Sequence, residues 1–163
     1  MNGIKKVAVL GGGSFGTVLA NIAASNGNNV ALWVRDSEQA LRINSEGANS
    51  TYHPELQLSP NIEASENLED VVRGSDMVLI ATPSIIFENI VQRITPMVES
   101  KACIISCTKG IKLNPFRSMS DIISMNIGTN TNSIGVLSGP NLAREIAENK
   151  VAGTVIASIN DDL

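Results

Sequence analysis

Aromatic side chains are scarce in this chain: one Trp, one Tyr and three Phe amount to 3% of 163 residues. A core made without them is filled by Val, Ile, Leu and Ala, which suits a buried parallel sheet covered by helices. Charge is thin too, 17% of residues against 43% hydrophobic, a balance that excludes a disordered chain. The charges sum to −4, so the basic face that general nucleic-acid binding needs is missing. A phosphate ligand stays open, because helix N-termini and one or two cations suffice locally. No apolar run approaches the roughly 20 residues of a membrane span. Met1 to Lys6 enter a strand directly, so no signal peptide is expected and the chain reads as cytoplasmic. The two cysteines, Cys103 and Cys107, lie on one apolar run, where they share a strand face too far apart for a disulfide. Without further Cys or His ligands they read as reduced core thiols rather than a metal or redox pair. The one histidine, His53, lies in a long polar stretch with no Asp or Ser partner in view, and reads as a surface residue.

What the chain does have is concentrated near its start. Val7-Ala-Val-Leu10 reads as a buried strand, and Gly11-Gly-Gly13-Ser-Phe-Gly16 follows it and opens a helix. Each glycine of such a Gly-x-Gly-x-x-Gly run has a task. Gly11 makes the tight turn, Gly13 lets the backbone approach a pyrophosphate, and Gly16 allows helix and strand to pack closely. Free N–H groups at the helix start then hold the phosphates. Alone the motif is weak, since glycine-rich turns are common. Its setting strengthens it, because a second strand-like run from Asn29 to Val34 completes a βαβ unit of about 30 residues.

Apolar runs and helical segments alternate along the rest of the chain. Strands are expected at Lys6–Leu10, Asn29–Val34, Asp76–Ala81, Cys103–Cys107, Ser133–Leu137 and Gly153–Ala157. Helices are expected at Phe15–Ser25, Ser37–Asn44, Leu68–Arg73, Ile85–Ile94, Pro115–Ser124 and Asn141–Glu148. Asn114-Pro115 offers an N-cap followed by proline at the first helical position. The pattern predicts one α/β domain, a Rossmann-type doubly wound and mainly parallel sheet with helices on both faces. The polar segment from Glu46 to Ile62 is the one long irregular connection, a candidate flap. Val155 to Leu163 reads as a strand and the first residues of another helix, so the chain is expected to be part of a longer polypeptide.

Further candidates cluster where strands end, the place where open α/β sheets bind ligands. The second strand runs into Arg35-Asp36. Arginine there gives a planar, charge-assisted contact to a ribose 2′-phosphate, which favours NADP. Asp36 keeps NAD open, although Asp36-Ser37-Glu38 equally starts a helix. Thr108-Lys109-Gly110 follows another strand. Lys109 there binds phosphate or polarises an oxygen becoming an alkoxide, and a solvated loop lysine explains it equally well. Ser138-Gly139-Pro140-Asn141 precedes a helix whose first amides suit a substrate oxyanion or a nicotinamide amide, as does an ordinary start capped by Ser138. Pro83 fixes the backbone in Ala81-Thr82-Pro83-Ser84, where Ser84 reads as a helix cap.

Taken in order, Gly11–Thr17, Leu32-Trp-Val-Arg35, Ala81–Ser84, Thr108-Lys-Gly-Ile111 and Leu137-Ser-Gly-Pro-Asn-Leu-Ala143 resemble bacterial NAD(P)-dependent glycerol-3-phosphate dehydrogenase over essentially the whole chain. The resemblance implies interconversion of dihydroxyacetone phosphate and sn-glycerol 3-phosphate, a precursor of phospholipids, by a cytoplasmic homodimer. It implies that Ser14, Phe15, Arg35, Lys109 and Ala143 contact the cofactor, with Tyr52 as the family's loop aromatic and Gly11, Gly13, Gly16 and Pro83 around it. Lys109, Gly139 and Asn141 are implied as substrate contacts, with Lys109 assisting catalysis. Asn141-Leu142 stands where the family has a small hydroxyl residue and an aromatic, and Phe15 replaces a frequent tryptophan. The family's helical second domain carries the principal catalytic lysine and the Arg and Asn that bind phosphate. None of that domain lies in these 163 residues. Two other readings share the fingerprint. A two-domain β-hydroxyacid or ketopantoate reductase does not predict Thr108-Lys109-Gly110 together with Ser138-Gly139-Pro140. A stand-alone NAD(P)-binding regulatory module uses the cradle without hydride chemistry.

Overall fold

The structure, a computed structural model, describes residues 5–127 and 133–160. The chain begins β1 (Lys6–Leu10), α1 (Ser14–Ser25), β2 (Asn29–Trp33), α2 (Ser37–Glu46), β3 (Ile62–Ser65) and α3 (Leu68–Val72). It continues β4 (Met77–Ile80), α4 (Ser84–Ile94), β5 (Cys103–Ser106), the hairpin strands β6 (Lys112–Leu113) and β7 (Phe116–Arg117), and α5 (Met119–Ile127). β8 (Ser133–Ser138), α6 (Ala143–Ala147) and β9 (Val155–Ser158) follow. The main sheet runs β3-β2-β1-β4-β5-β8-β9, parallel throughout except for β9, which pairs antiparallel with β8. The doubly wound α/β reading is thus borne out. The strand order reverses between β1 and β4, which puts a topological switch point beside the glycine run.

Strand alternation sorts the core into two layers. Val7, Val9, Leu32, Leu79 and Ile105 point to the side covered by α1 and α2, where Leu19, Ala20, Ala40 and Ile43 meet them. Ala8, Leu10, Val78, Ile80 and Ile104 point to the other side, against Phe87, Ile90 and Ile94 of α4 and Ile122 and Ile123 of α5. The apolar strands are continuous because both faces of the sheet are buried.

The structure departs from expectation in three places. β3 was not foreseen: only four residues long, it carries little of the apolar signal of a central strand. The side chain of Asn44 completes it, donating Nδ2 to the Ala64 carbonyl at 2.9 Å and accepting the Ala64 amide on Oδ1 at 2.7 Å. The expected helix start at Asn114-Pro115 is a β-hairpin with a cis bond at that proline, and α5 begins at Met119. A reciprocal cap decides its start: the Asp121 amide donates to Ser118 Oγ at 3.1 Å, and the Ser118 amide donates to Asp121 Oδ2 at 3.0 Å. Hydrogen bonding from the Ser118 side chain and from its amide also holds the Asp121 carboxyl below its usual range. The last helix begins at Ala143 rather than Asn141, and its N-cap is Leu142, not Ser138. The helix start expected at the chain end lies outside the described residues.

Cys103 and Cys107 are both free and lie on the α1–α2 side of the sheet, as their spacing implied. Burial pushes the Cys103 thiol up to about 11 and the Cys107 thiol up to about 12, from an ordinary 9.0. Both thiols should resist alkylation near neutral pH and react fully in denaturant, as a timed thiol-reagent assay would record. The linkage has a definite sign. Above pH 9 the unfolded chain loses these protons while the folded chain keeps them, so stability should fall as pH rises towards 11. A Cys103→Ala/Cys107→Ala double variant should lose that part of the alkaline slope in denaturant titrations.

Candidate functional site

At the end of β1 the chain turns through Gly11, whose φ of +120° lies where L side chains rarely go. A Cβ on Gly11 would stand 2.7 Å from the Ala81 carbonyl at the end of β4. On Gly16 it would stand 1.8 Å from the Gly11 carbonyl, so α1 sits against the turn with no room for a methyl group. At Gly13 a Cβ meets nothing within 4 Å. α1 also starts without a side-chain cap, which leaves its first-turn amides to an outside acceptor. Open space at Gly13 beside uncapped amides fits a phosphate group.

The variable position Gly12 proves as constrained as Gly11, since a Cβ there would lie 2.2 Å from Val34 Cγ1. Its carbonyl accepts from Gln39 Nε2 at 2.7 Å and from Asn49 Nδ2 at 3.0 Å. Asn49 is buried and also donates to Thr17 Oγ1 at 2.8 Å. The segment between α2 and β3 is thereby fastened to the glycine turn. Gln39, Asn49 and Thr17 were missed from sequence, because polar side chains that bond backbone across the fold leave no periodic signal.

A cleft of about 480 Å³ opens over the turn, lined by Gly11 to Gly13, Arg35, Tyr52, Thr82 and Pro83, among others. Arg35 lies two residues past β2, is exposed, and has no ion-pair partner among the described residues. Asp36 is the N-cap of α2, its Oδ1 accepting the Glu38 amide at 3.0 Å. Of the two roles open to Asp36, the structure shows the helix start. Tyr52 is half-exposed on the same wall. Pro83 is the N-cap of α4, and Ser84, read from sequence as the cap, is its first helical residue. Phe15 is partly buried against the α1–α2 core layer.

Lys109 lies past the end of β5 and does not line this cleft. Thr108 fixes its approach, donating Oγ1 to the carbonyls of Ile80 at 3.1 Å and Thr82 at 2.8 Å. Gly139, with φ of +153°, sits where a Cβ would fall 2.5 Å from the Gly153 carbonyl. The Asn141 side chain is buried, donating Nδ2 to Thr154 Oγ1 at 2.9 Å, while Oδ1 has no partner. Ala143 opens the short α6, which packs on α1. Gly139, Asn141 and Ala143 therefore follow β8 at the same sheet end, outside the cleft.

His53 corrects the sequence reading. It is 6% exposed, and Nε2 lies 3.0 Å from Ser14 Oγ and 2.9 Å from the Ser14 carbonyl oxygen. Ser14, Tyr52, His53 and Arg144 line a second cavity of about 660 Å³, and Tyr52 lines both. Among the described residues no group of three or more His, Cys, Asp or Glu is placed to hold a metal ion. None of the described helices is long and apolar enough to cross a membrane.

Residues 6–163 match a family described as the NAD-dependent glycerol-3-phosphate dehydrogenase N-terminus. The chain is 46% identical over 156 residues to a glycerol-3-phosphate dehydrogenase [NAD(P)+] of Alcanivorax borkumensis, covering 96% of this chain and 45% of that protein. It is 46% identical over 153 residues to the protein of that name from Acinetobacter baylyi, covering 94% of this chain and 42% of the relative. The crystal structure of glycerol-3-phosphate dehydrogenase from Coxiella burnetii superposes with a TM-score of 0.89 at 31% identity, over 98% of this chain and 48% of that one. The chain thus spans less than half the length of these curated relatives.

The glycine geometry makes a contrast that denaturant melts can check. Gly16→Ala should destabilise by at least about 3 kcal/mol, because its methyl would displace either α1 or the Gly11 carbonyl. Gly13→Ala should cost less than about 1 kcal/mol, the loss of a favourable N-cap residue.

Proposed function

We propose, from the premise that this chain belongs to the NAD-dependent glycerol-3-phosphate dehydrogenase family and matches its N-terminal part, that it is the dinucleotide-binding half of an NADPH-preferring enzyme. The complete protein interconverts dihydroxyacetone phosphate and sn-glycerol 3-phosphate, as a cytoplasmic homodimer whose second, helical domain supplies the principal catalytic lysine and the phosphate-binding groups. The observation that carries the reading is the cradle itself, with open space at Gly13 and uncapped α1 amides at the switch point of the sheet.

The residues divide the work along the sheet edge. Gly11, Gly13, Ser14, Phe15 and Gly16 hold the pyrophosphate at the start of α1. Arg35 and Tyr52 flank the adenosine end, and Pro83 closes the cleft at the start of α4. Arg35 supports NADPH over NADH, since it lines the cleft without an ion-pair partner among the described residues while one oxygen of Asp36 is taken by the α2 cap. Lys109, Gly139, Asn141 and Ala143 serve the nicotinamide and substrate end beyond β5 and β8. Nicotinamide, when bound, supplies the hydride. Lys109 places a positive charge where the ketone oxygen becomes an alkoxide, which lowers the barrier by preorganised electrostatics.

Three outcomes test this reading. Arg35→Ala should weaken NADPH by about 2 kcal/mol in calorimetry while leaving NADH nearly unchanged. Unchanged preference in that variant would remove Arg35 from the site. Gly13→Val should stay folded by circular dichroism yet lose NADPH binding, since its side chain fills the phosphate space. Finally, this chain should bind NADPH but not oxidise it with dihydroxyacetone phosphate, whereas a version extended through the helical domain should turn over. Comparable rates for the two would sink the two-domain mechanism.

A further inference from the structure

We infer that His53 is a positioning residue that sets the Ser14 hydroxyl as a hydrogen-bond donor to the dinucleotide pyrophosphate; this rests on the cradle reading above. The geometry fixes the proton. Nε2 faces the Ser14 carbonyl oxygen at 2.9 Å, and a carbonyl only accepts. A bare Nε2 would set two lone pairs against each other at that distance, so Nε2 carries the hydrogen. Ser14 Oγ, 3.0 Å from the same nitrogen, is therefore a second acceptor of this N–H. Its own hydrogen is left for another partner.

Ser14 is the first residue of α1, where the helix gathers positive potential, and follows Gly13, which leaves open space; it lines the second cavity, which shares Tyr52 with the glycine cleft. A phosphate oxygen is the acceptor that such a hydroxyl meets. His53 holds the arrangement from a buried position, 6% exposed. Its loop is tied to the glycine turn through Asn49, and the His53 amide donates to the Asn49 carbonyl at 2.9 Å. The imidazole thus links the loop that carries Tyr52 to the helix start that takes the phosphate.

The chain contains a single histidine, so the imidazole nitrogens give one set of signals in a long-range ¹H–¹⁵N spectrum. The neutral ring should show the Nε2–H tautomer in that spectrum. An Nδ1–H tautomer would overturn the inference, because Nε2 would then accept from the Ser14 hydroxyl and turn it away from phosphate. NADPH titrated into this chain supplies the second readout. His53→Leu and Ser14→Ala should each weaken binding about tenfold, the worth of one hydrogen bond to a charged group. Their double variant should bind no worse than Ser14→Ala. His53→Gln, which keeps an N–H donor, should recover most of the affinity and covers the case in which His53→Leu fails to fold. Additive losses, or no recovery with glutamine, would overturn the positioning role. Failure of the wild-type chain to bind NADPH would instead strike the cradle reading itself.

Discussion

The closeness with which α1 meets the end of β1 governs the site. Gly16 lies under the Gly11 carbonyl with no space for a Cβ, and that contact holds the N-terminus of α1 at the carboxyl edge of the sheet. A helix set back by the width of one methyl group would aim its first amides elsewhere. Other features then reinforce the same placement. Gln39 and Asn49 hold the Gly12 carbonyl, and Val34 fills the space a side chain on Gly12 would need. Such a turn is rigid before any ligand arrives, so little ordering cost remains for binding to meet.

Much of this was legible in the sequence, and the reasons are physical. Central strands buried on both faces announce themselves as unbroken Val, Ile, Leu and Ala runs, so β1, β2, β4 and β5 were found with near-correct bounds. Gly11 and Gly16 were legible because each answers a steric need that the local turn imposes, and Gly13 by its place between them in the motif. β3 was not, since it is short and two of its backbone hydrogen bonds go to a side chain on α2. The start of α5 was less legible, because Asn114-Pro115 has the sequence form of a helix start while the Ser118–Asp121 pair sets the actual one. His53 was misread for a related reason: its partner stands 39 residues away, and no local pattern encodes a contact at that separation.

Asp36 shows how one side chain's structural duty shapes the chemistry beside it. The carboxylate accepts the Glu38 amide at the start of α2 and is committed to the helix. Arg35, next to it in sequence on the wall of the cleft, has no ion pair among the described residues. The helix cap thereby turns one Asp36 oxygen towards the α2 amides, although the carboxylate still lines the cleft beside Arg35. The same economy runs through Thr108, whose hydroxyl joins the ends of β4 and β5 and so determines where Lys109 emerges.

The two hydrogen bonds between Asn44 and Ala64 reach beyond holding β3 in place. β3 is the outermost strand on its side of the sheet, and outer strands present backbone groups that other chains can pair with. The carboxamide of Asn44 carries a donor and an acceptor on one planar group, and it occupies both the N–H and the C=O of Ala64 as an incoming strand would. A side chain impersonates the absent neighbour at the middle of a four-residue strand, leaving too little free backbone for a stranger to dock. This small amide thereby closes, on that flank, backbone groups of the kind an open sheet edge presents for pairing.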